Sequence, residues 1–155
     1  MFYKMSLLGL AIVVFAIACN KDKFTSVPQV KIKSITPSIV SRGNIVELKG
    51  SFTDEEGDLD SALIIYKWYN GEVVVRKDTI RDYDFNNFTT PLPVNTRSGD
   101  FLIRFSYNVQ SSNYPFFPTP PSLRDTTASL GLIFVDKQKQ RSVYVESEKI
   151  RLIRP

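Results

Sequence analysis

Four carboxylates alternate along one short polar run: Asp54, Glu56, Asp58 and Asp60, with Gly57 between them. Clustered carboxylates suit a hard cation, since calcium takes six to eight oxygens at about 2.3–2.6 Å. The run is not an EF-hand. Counting from Asp54, the sixth position is Leu59 where glycine is needed, and the twelfth is Ile65 where glutamate is needed. The expectation is a structural Ca2+ site on Asp54, Glu56, Asp58 and Asp60. The competing reading is a solvated acidic turn in which Asp54 caps its own backbone. Asp54 and Glu56 are also the one pair from which a small carboxylate-dependent hydrolase could be built, but the loop is local and no second catalytic surface is visible. A second unusual stretch runs from Tyr114 to Pro121, where prolines stiffen a loop carrying Tyr114, Phe116 and Phe117. Exposed, these rings would contact a protein partner or a sugar. Folded back, they would plug one end of the domain. The single Trp68 reads first as core, and second, with Tyr69, Tyr114 or Phe116, as a glycan-stacking surface.

The chain has no histidine and one cysteine, Cys19. This excludes Ser-His-Asp and Cys-His catalysis and His-ligated zinc. No enzyme is expected. Cys19 closes an N-terminal segment with the order of a secretion signal: Lys4 for charge, the apolar run Met5 to Ala18, and small residues at Ala16 and Ala18. A transmembrane span needs about 20 apolar residues, and Asn20-Lys21-Asp22-Lys23 ends this run too soon. Ala16-Ile17-Ala18-Cys19 resembles a bacterial lipobox, with Ala16 where leucine is usual. The resemblance implies that residues 1–18 are removed and that Cys19 carries a covalent lipid. Two or more chains hold a protein on a membrane without any spanning helix. Asn20 in place of an aspartate favours the outer membrane, and Lys21-Asp22 partly resembles the tag of surface-exported lipoproteins.

The carboxylates and aromatics must be positioned by the rest of the chain. A hydrophobic fraction of 43% and a net charge of +4 are ordinary for one globular domain. The basic residues are dispersed, and export leaves no role with nucleic acid. Residues 19–29 read as a lipidated cysteine and polar tether, and residues 30–155 as the domain. Period-two alternation predicts strands from Val30 to Ile35, Asn44 to Phe52, Leu63 to Tyr69, Glu72 to Arg76 with an extension at Thr79–Arg81, Phe101 to Val109, Leu130 to Val135, and Ser142 to Ile153. Asn70-Gly71 predicts a two-residue hairpin turn, Ser98-Gly99-Asp100 a turn, and Asp136 to Arg141 a charged turn. No helical stripe follows residue 19. The fold class is all-β, an immunoglobulin-like (fibronectin III-like) antiparallel β-sandwich.

The run Phe52-Thr53-Asp54-Glu55-Glu56-Gly57-Asp58-Leu59 resembles the "F-x-D-x-[DE]-G-D-L" signature of small Ig-like domains in Bacteroidetes-type lipoproteins. Asp136 with Ser142, and Ile150-Arg151-Leu152-Ile153, resemble the closing hairpin of those domains. The resemblance implies an Ig-like domain held at the cell envelope. The expected role is a binding or accessory module for an outer-membrane protein complex, facing the periplasm or the surface, with a surface glycan as the alternative ligand.

Overall fold

In the computed structural model, the described residues are 25–85, 95–119 and 124–153. Cys19 and Pro120-Pro121 lie outside them. Ten strands follow in order: β1 (Gln29–Thr36), β2 (Ile39–Val40), β3 (Ile45–Thr53), β4 (Leu59–Asn70), β5 (Val73–Asp84), β6 (Ser98–Tyr107), β7 (Phe116–Phe117), β8 (Thr126–Asp136), β9 (Val145–Glu146) and β10 (Ile150–Leu152). One sheet has the order β1-β3-β6-β7. The other has the order β2-β10-β8-β4-β5, with β9 also on β8. In immunoglobulin lettering, β1, β3 and β6 are A, B and E, facing β10, β8, β4 and β5 as G, F, C and C′. The chain is an all-β, immunoglobulin-like sandwich.

Alternation builds the core. On β3, Val46, Leu48 and Phe52 are buried, and on β6, Phe101, Ile103, Phe105 and Tyr107. They meet Ile64, Tyr66 and Trp68 of β4 and Leu130, Leu132 and Phe134 of β8. Trp68 is fully buried, on the strand where Ig-like sandwiches place their central tryptophan. Each such large side chain contributes about 1.5–3 kcal/mol on burial. β4 is buried on both faces, because Leu63 and Ile65 pack with Val135 and Ile133 on its other side.

Several boundaries differ from the sequence reading. The hairpin turn is Gly71-Glu72, since Asn70 pairs with Val73, and a register irregularity at Trp68/Tyr69 moves the turn one residue along. Gly71 has φ +59° and leads the turn, the first-position glycine of a type II′ connection. Ser98-Gly99-Asp100 is not a turn but the start of β6, paired with Thr53, Phe52 and Ser51. Val109 lies beyond β6 and is exposed. Two short pairings are parallel, β2 with β10 and β6 with β7, within a sandwich otherwise antiparallel. In the final strand region the backbone ladder is interrupted, and side chains complete it. Ser142 and Ser147 accept hydrogen bonds from the Phe134 and Leu130 N–H groups at 2.9 and 3.0 Å.

Candidate functional site: the acidic corner and the proline–aromatic segment

The acidic loop spans the gap between β3 and β4. The pairing of Thr53 with Ser98 and of Leu59 with Asp136 puts the end of β3, the starts of β4 and β6, and the end of β8 at one end of the sandwich. Asp54 is fully buried, anchored by its N–H donating to the Arg97 carbonyl at 2.8 Å. The Asp58 N–H donates to Asp54 Oδ2 at 2.8 Å, closing the loop as an Asx-type turn. Gly57 has φ +67°, and a Cβ there would sit 2.9 Å from the Asn95 carbonyl carbon, so only glycine fits. The Glu55 N–H donates to the Thr25 carbonyl at 3.3 Å, so the N-terminal segment enters the fold beside this loop.

Carboxylate oxygens of Asp54, Glu56 and Asp58 lie within 4.8 Å of one another. Asp60 is not among them: its Oδ2 accepts from Lys139 Nζ at 2.8 Å. The expected four-carboxylate set is corrected on that point, because Asp60 already belongs to β4 and points to a cation across the corner. Sequence reasoning missed Asp136, a fully buried aspartate at the end of β8. Its Oδ1 accepts from the Gln140 N–H at 2.8 Å, and the neighbouring Lys137 N–H donates to the Asp58 carbonyl at 3.0 Å. Its signal was an aspartate closing the apolar run Leu130 to Val135, but nothing local joined it to a loop so far back in the chain. Burial pushes the Asp54 carboxyl above its usual range, and the charges of Asp58, Glu56 and Asp136 push it further.

The proline–aromatic segment is at the opposite end. Ser106 N–H donates to the Pro115 carbonyl at 3.0 Å, and Asn108 N–H to the Phe117 carbonyl at 2.9 Å. These bonds lay β7 along the edge of its sheet, where flanking prolines are tolerated. Phe117 is fully buried, 5.1 Å from Tyr66, 5.7 Å from Tyr107 and 6.2 Å from Trp68 between ring centroids. It is a core residue, which withdraws it as a partner contact. Tyr114 and Phe116 remain half-buried at the surface. Trp68 and Tyr69 are buried, so neither offers a face to a sugar.

No protein-family model and no curated protein matches this sequence. Among solved structures it is similar to Spo0M, the sporulation control protein of Bacillus subtilis, at 10% identity and TM-score 0.49, over 84% of this chain and 51% of that one. It is also similar to the Pseudomonas fluorescens alkylpurine DNA glycosylase AlkC, at 8% identity and TM-score 0.44, over 84% of this chain and 31% of that one. Murine CRIg is a third, at 12% identity and TM-score 0.30, over 81% of this chain and 96% of that one. The chain thus spans about half of Spo0M and a third of AlkC. At these scores the likenesses carry no functional argument. Among the described residues, no helix is long and apolar enough to cross a membrane.

Proposed function

We propose that this chain is a lipid-anchored, non-enzymatic envelope lipoprotein, held at the outer membrane through Cys19 and serving as a binding module for an outer-membrane protein complex. The observation that carries the reading is the entry of the chain at Thr25, on the Glu55 N–H, at the acidic end of the sandwich. A tether leaving from that end turns the other end, with Tyr114 and Phe116, away from the point of attachment. The lipobox-like Ala16-Ile17-Ala18-Cys19 supplies the anchor, and an acylated cysteine leaves no stray thiol. The non-enzymatic part is supported by Asp54, whose burial removes its carboxylate from any substrate. The glycan alternative retains only Tyr114 and Phe116, and no observation favours it.

Two measurements test the reading. Metabolic labelling with radioactive palmitate should mark the full chain and fail to mark Cys19→Ser; equal labelling would remove the anchor. After mild detergent extraction and cross-linking, the protein should migrate in a larger complex. Tyr114→Ser with Phe116→Ser should release it while leaving its melting temperature within about 3 °C, as half-exposed side chains contribute little to the core. A parent protein that migrates alone would sink the module role.

A further inference from the structure

We propose that Asp54, Glu56 and Asp58 hold one calcium ion at the tether end of the sandwich, with the charge of Asp136 beside them. Two independent features point to a cation. The first is convergence: oxygens of Asp54, Glu56 and Asp58 lie within 4.8 Å of one another, the spread that an ion with bonds of about 2.4 Å can span. The second is a set of buried oxygens with no donor. Asp54 Oδ1, Asp58 Oδ1 and Asp136 Oδ2 are all enclosed, and none has a hydrogen-bond partner among the described residues. Asp54 and Asp136 are both 0% exposed. An isolated buried carboxylate is strongly disfavoured unless paired or metal-bound, yet none of these four side chains forms an ion pair with a lysine or arginine among the described residues. Lys139 pairs with Asp60.

Two of the three oxygens left over, on Asp54 and Asp136, have a partner oxygen already satisfied by backbone. Asp58 N–H fixes Asp54 Oδ2 and Gln140 N–H fixes Asp136 Oδ1. The second oxygen of each carboxylate is thereby held in place, oriented without being used. Glu56 is exposed, and leaves the solvent side open for water ligands. Calcium rather than magnesium fits such a site, because it accepts irregular, oxygen-rich shells, whereas magnesium demands an octahedron at about 2.0–2.1 Å. Bound there, the ion would stiffen the β3–β4 loop, which the Lys137 N–H already joins to the end of β8. Glu55, inside the loop, bonds Thr25, so the same ion would stiffen the root of the N-terminal segment. Binding does not depend on acylation of Cys19, so it can fail or succeed apart from the proposed anchoring.

The test uses the full chain in detergent, stripped with a chelator and then titrated with CaCl2 or MgCl2 by calorimetry and thermal melting. Calcium should give a saturable heat and raise the melting temperature by about 5 °C or more at saturation. Magnesium at equal concentration should give less than half that rise. Asp54→Asn and Asp58→Asn should each weaken calcium binding by about tenfold or more, while Asp60→Asn should stay within about twofold. In chelator, Asp54→Asn and Asp136→Asn should melt no lower than the parent, since each removes one of four crowded charges. A parent with no calcium heat and an unmoved melting temperature overturns the site, even if a variant does not fold. A folded Asp54→Asn that binds like the parent overturns the ligand set.

Discussion

Glu146 shows how much one side chain can gather without leaving a trace in its local sequence. Its carboxylate accepts hydrogen bonds from Lys67 Nζ, Tyr69 OH, Ser129 Oγ and Tyr144 OH. Tyr69 and Ser129 also share a bond at 3.0 Å, and Lys67 sits 4.7 Å over the Tyr144 ring. Burial alone would raise the Glu146 pKa, but the donors from Lys67, Ser129, Tyr69 and Tyr144 outweigh it and hold the group at about 2. A carboxylate depressed in the folded state stabilises the fold fully above its unfolded pKa and loses that contribution as pH falls through its folded value. Stability measured by urea unfolding should therefore drop between about pH 4.5 and pH 2, and Glu146→Gln should flatten that slope. At neutral pH the same variant should cost about 1–2 kcal/mol, a modest figure because part of the carboxylate sees water. An unchanged acid slope in Glu146→Gln would remove the network as its source. Alternation puts Lys67 and Tyr69 on one face of β4, but their partner at Glu146 exists only once β4, β8 and β9 meet. The assignment of Tyr69 to a sugar-binding surface failed for the same reason: its hydroxyl is taken by this network.

At the scale of elements, alternation located most strands, because burial of one face imposes a period of two on the residues. It placed the core residues of β3, β4 and β6 on their observed faces. It failed where pairing rather than burial sets the boundary. Ser98-Gly99-Asp100 has turn-forming composition, yet the extended partner Ser51–Thr53 recruits it into β6. β7 has a proline on each side and only two residues, and exists because the β6 edge accepts it. Two glycines separate these influences. Gly50, buried within β3, would place a Cβ 2.2 Å from the Phe101 ring and 2.4 Å from the Lys31 carbonyl oxygen. The ring can tilt, but the backbone oxygen cannot leave without breaking the β1–β3 ladder. Gly71 has nothing within 4 Å and needs its freedom only for φ +59°. Gly50→Ala should therefore cost about 3 kcal/mol by overpacking, and Gly71→Ala about 1 kcal/mol by left-handed strain. Chemical denaturation of the two variants checks the order. If Gly71→Ala were the more damaging, the turn rather than the β1–β3–β6 contact would limit this sandwich.

For the whole molecule, the sandwich was legible from strand count and spacing, and so were the loop carboxylates Asp54, Glu56 and Asp58, whereas the approach of Asp136 to them was not. Asp54 and Asp136 meet only because the B–C and F–G connections of this topology share one end, a relation that no local spacing encodes. The same topology separates Thr25 from the β4–β5 turn by the length of β4, twelve residues or roughly 40 Å at the rise of a strand. From Cys19 to Thr25 the chain takes six steps, at most about 20 Å when fully extended. If Cys19 is acylated, the acidic end must therefore stay close to the head groups. An inverted domain would need a tether about twice as long as the chain allows. A dye placed at Glu55→Cys, beside Thr25, should be quenched by head-group-linked quencher when the acylated protein is reconstituted in vesicles. The same dye at Glu72→Cys, on a side chain 92% exposed in the β4–β5 turn, should be quenched far less. Equal quenching at both sites would mean a domain lying flat on the bilayer, and stronger quenching at the β4–β5 turn would contradict attachment through Cys19. Either result would also remove the reason for seeking partners at the Tyr114–Phe116 end. With the expected order, that end stands some 40 Å further from the lipid, within reach of the extra-membrane parts of neighbouring proteins.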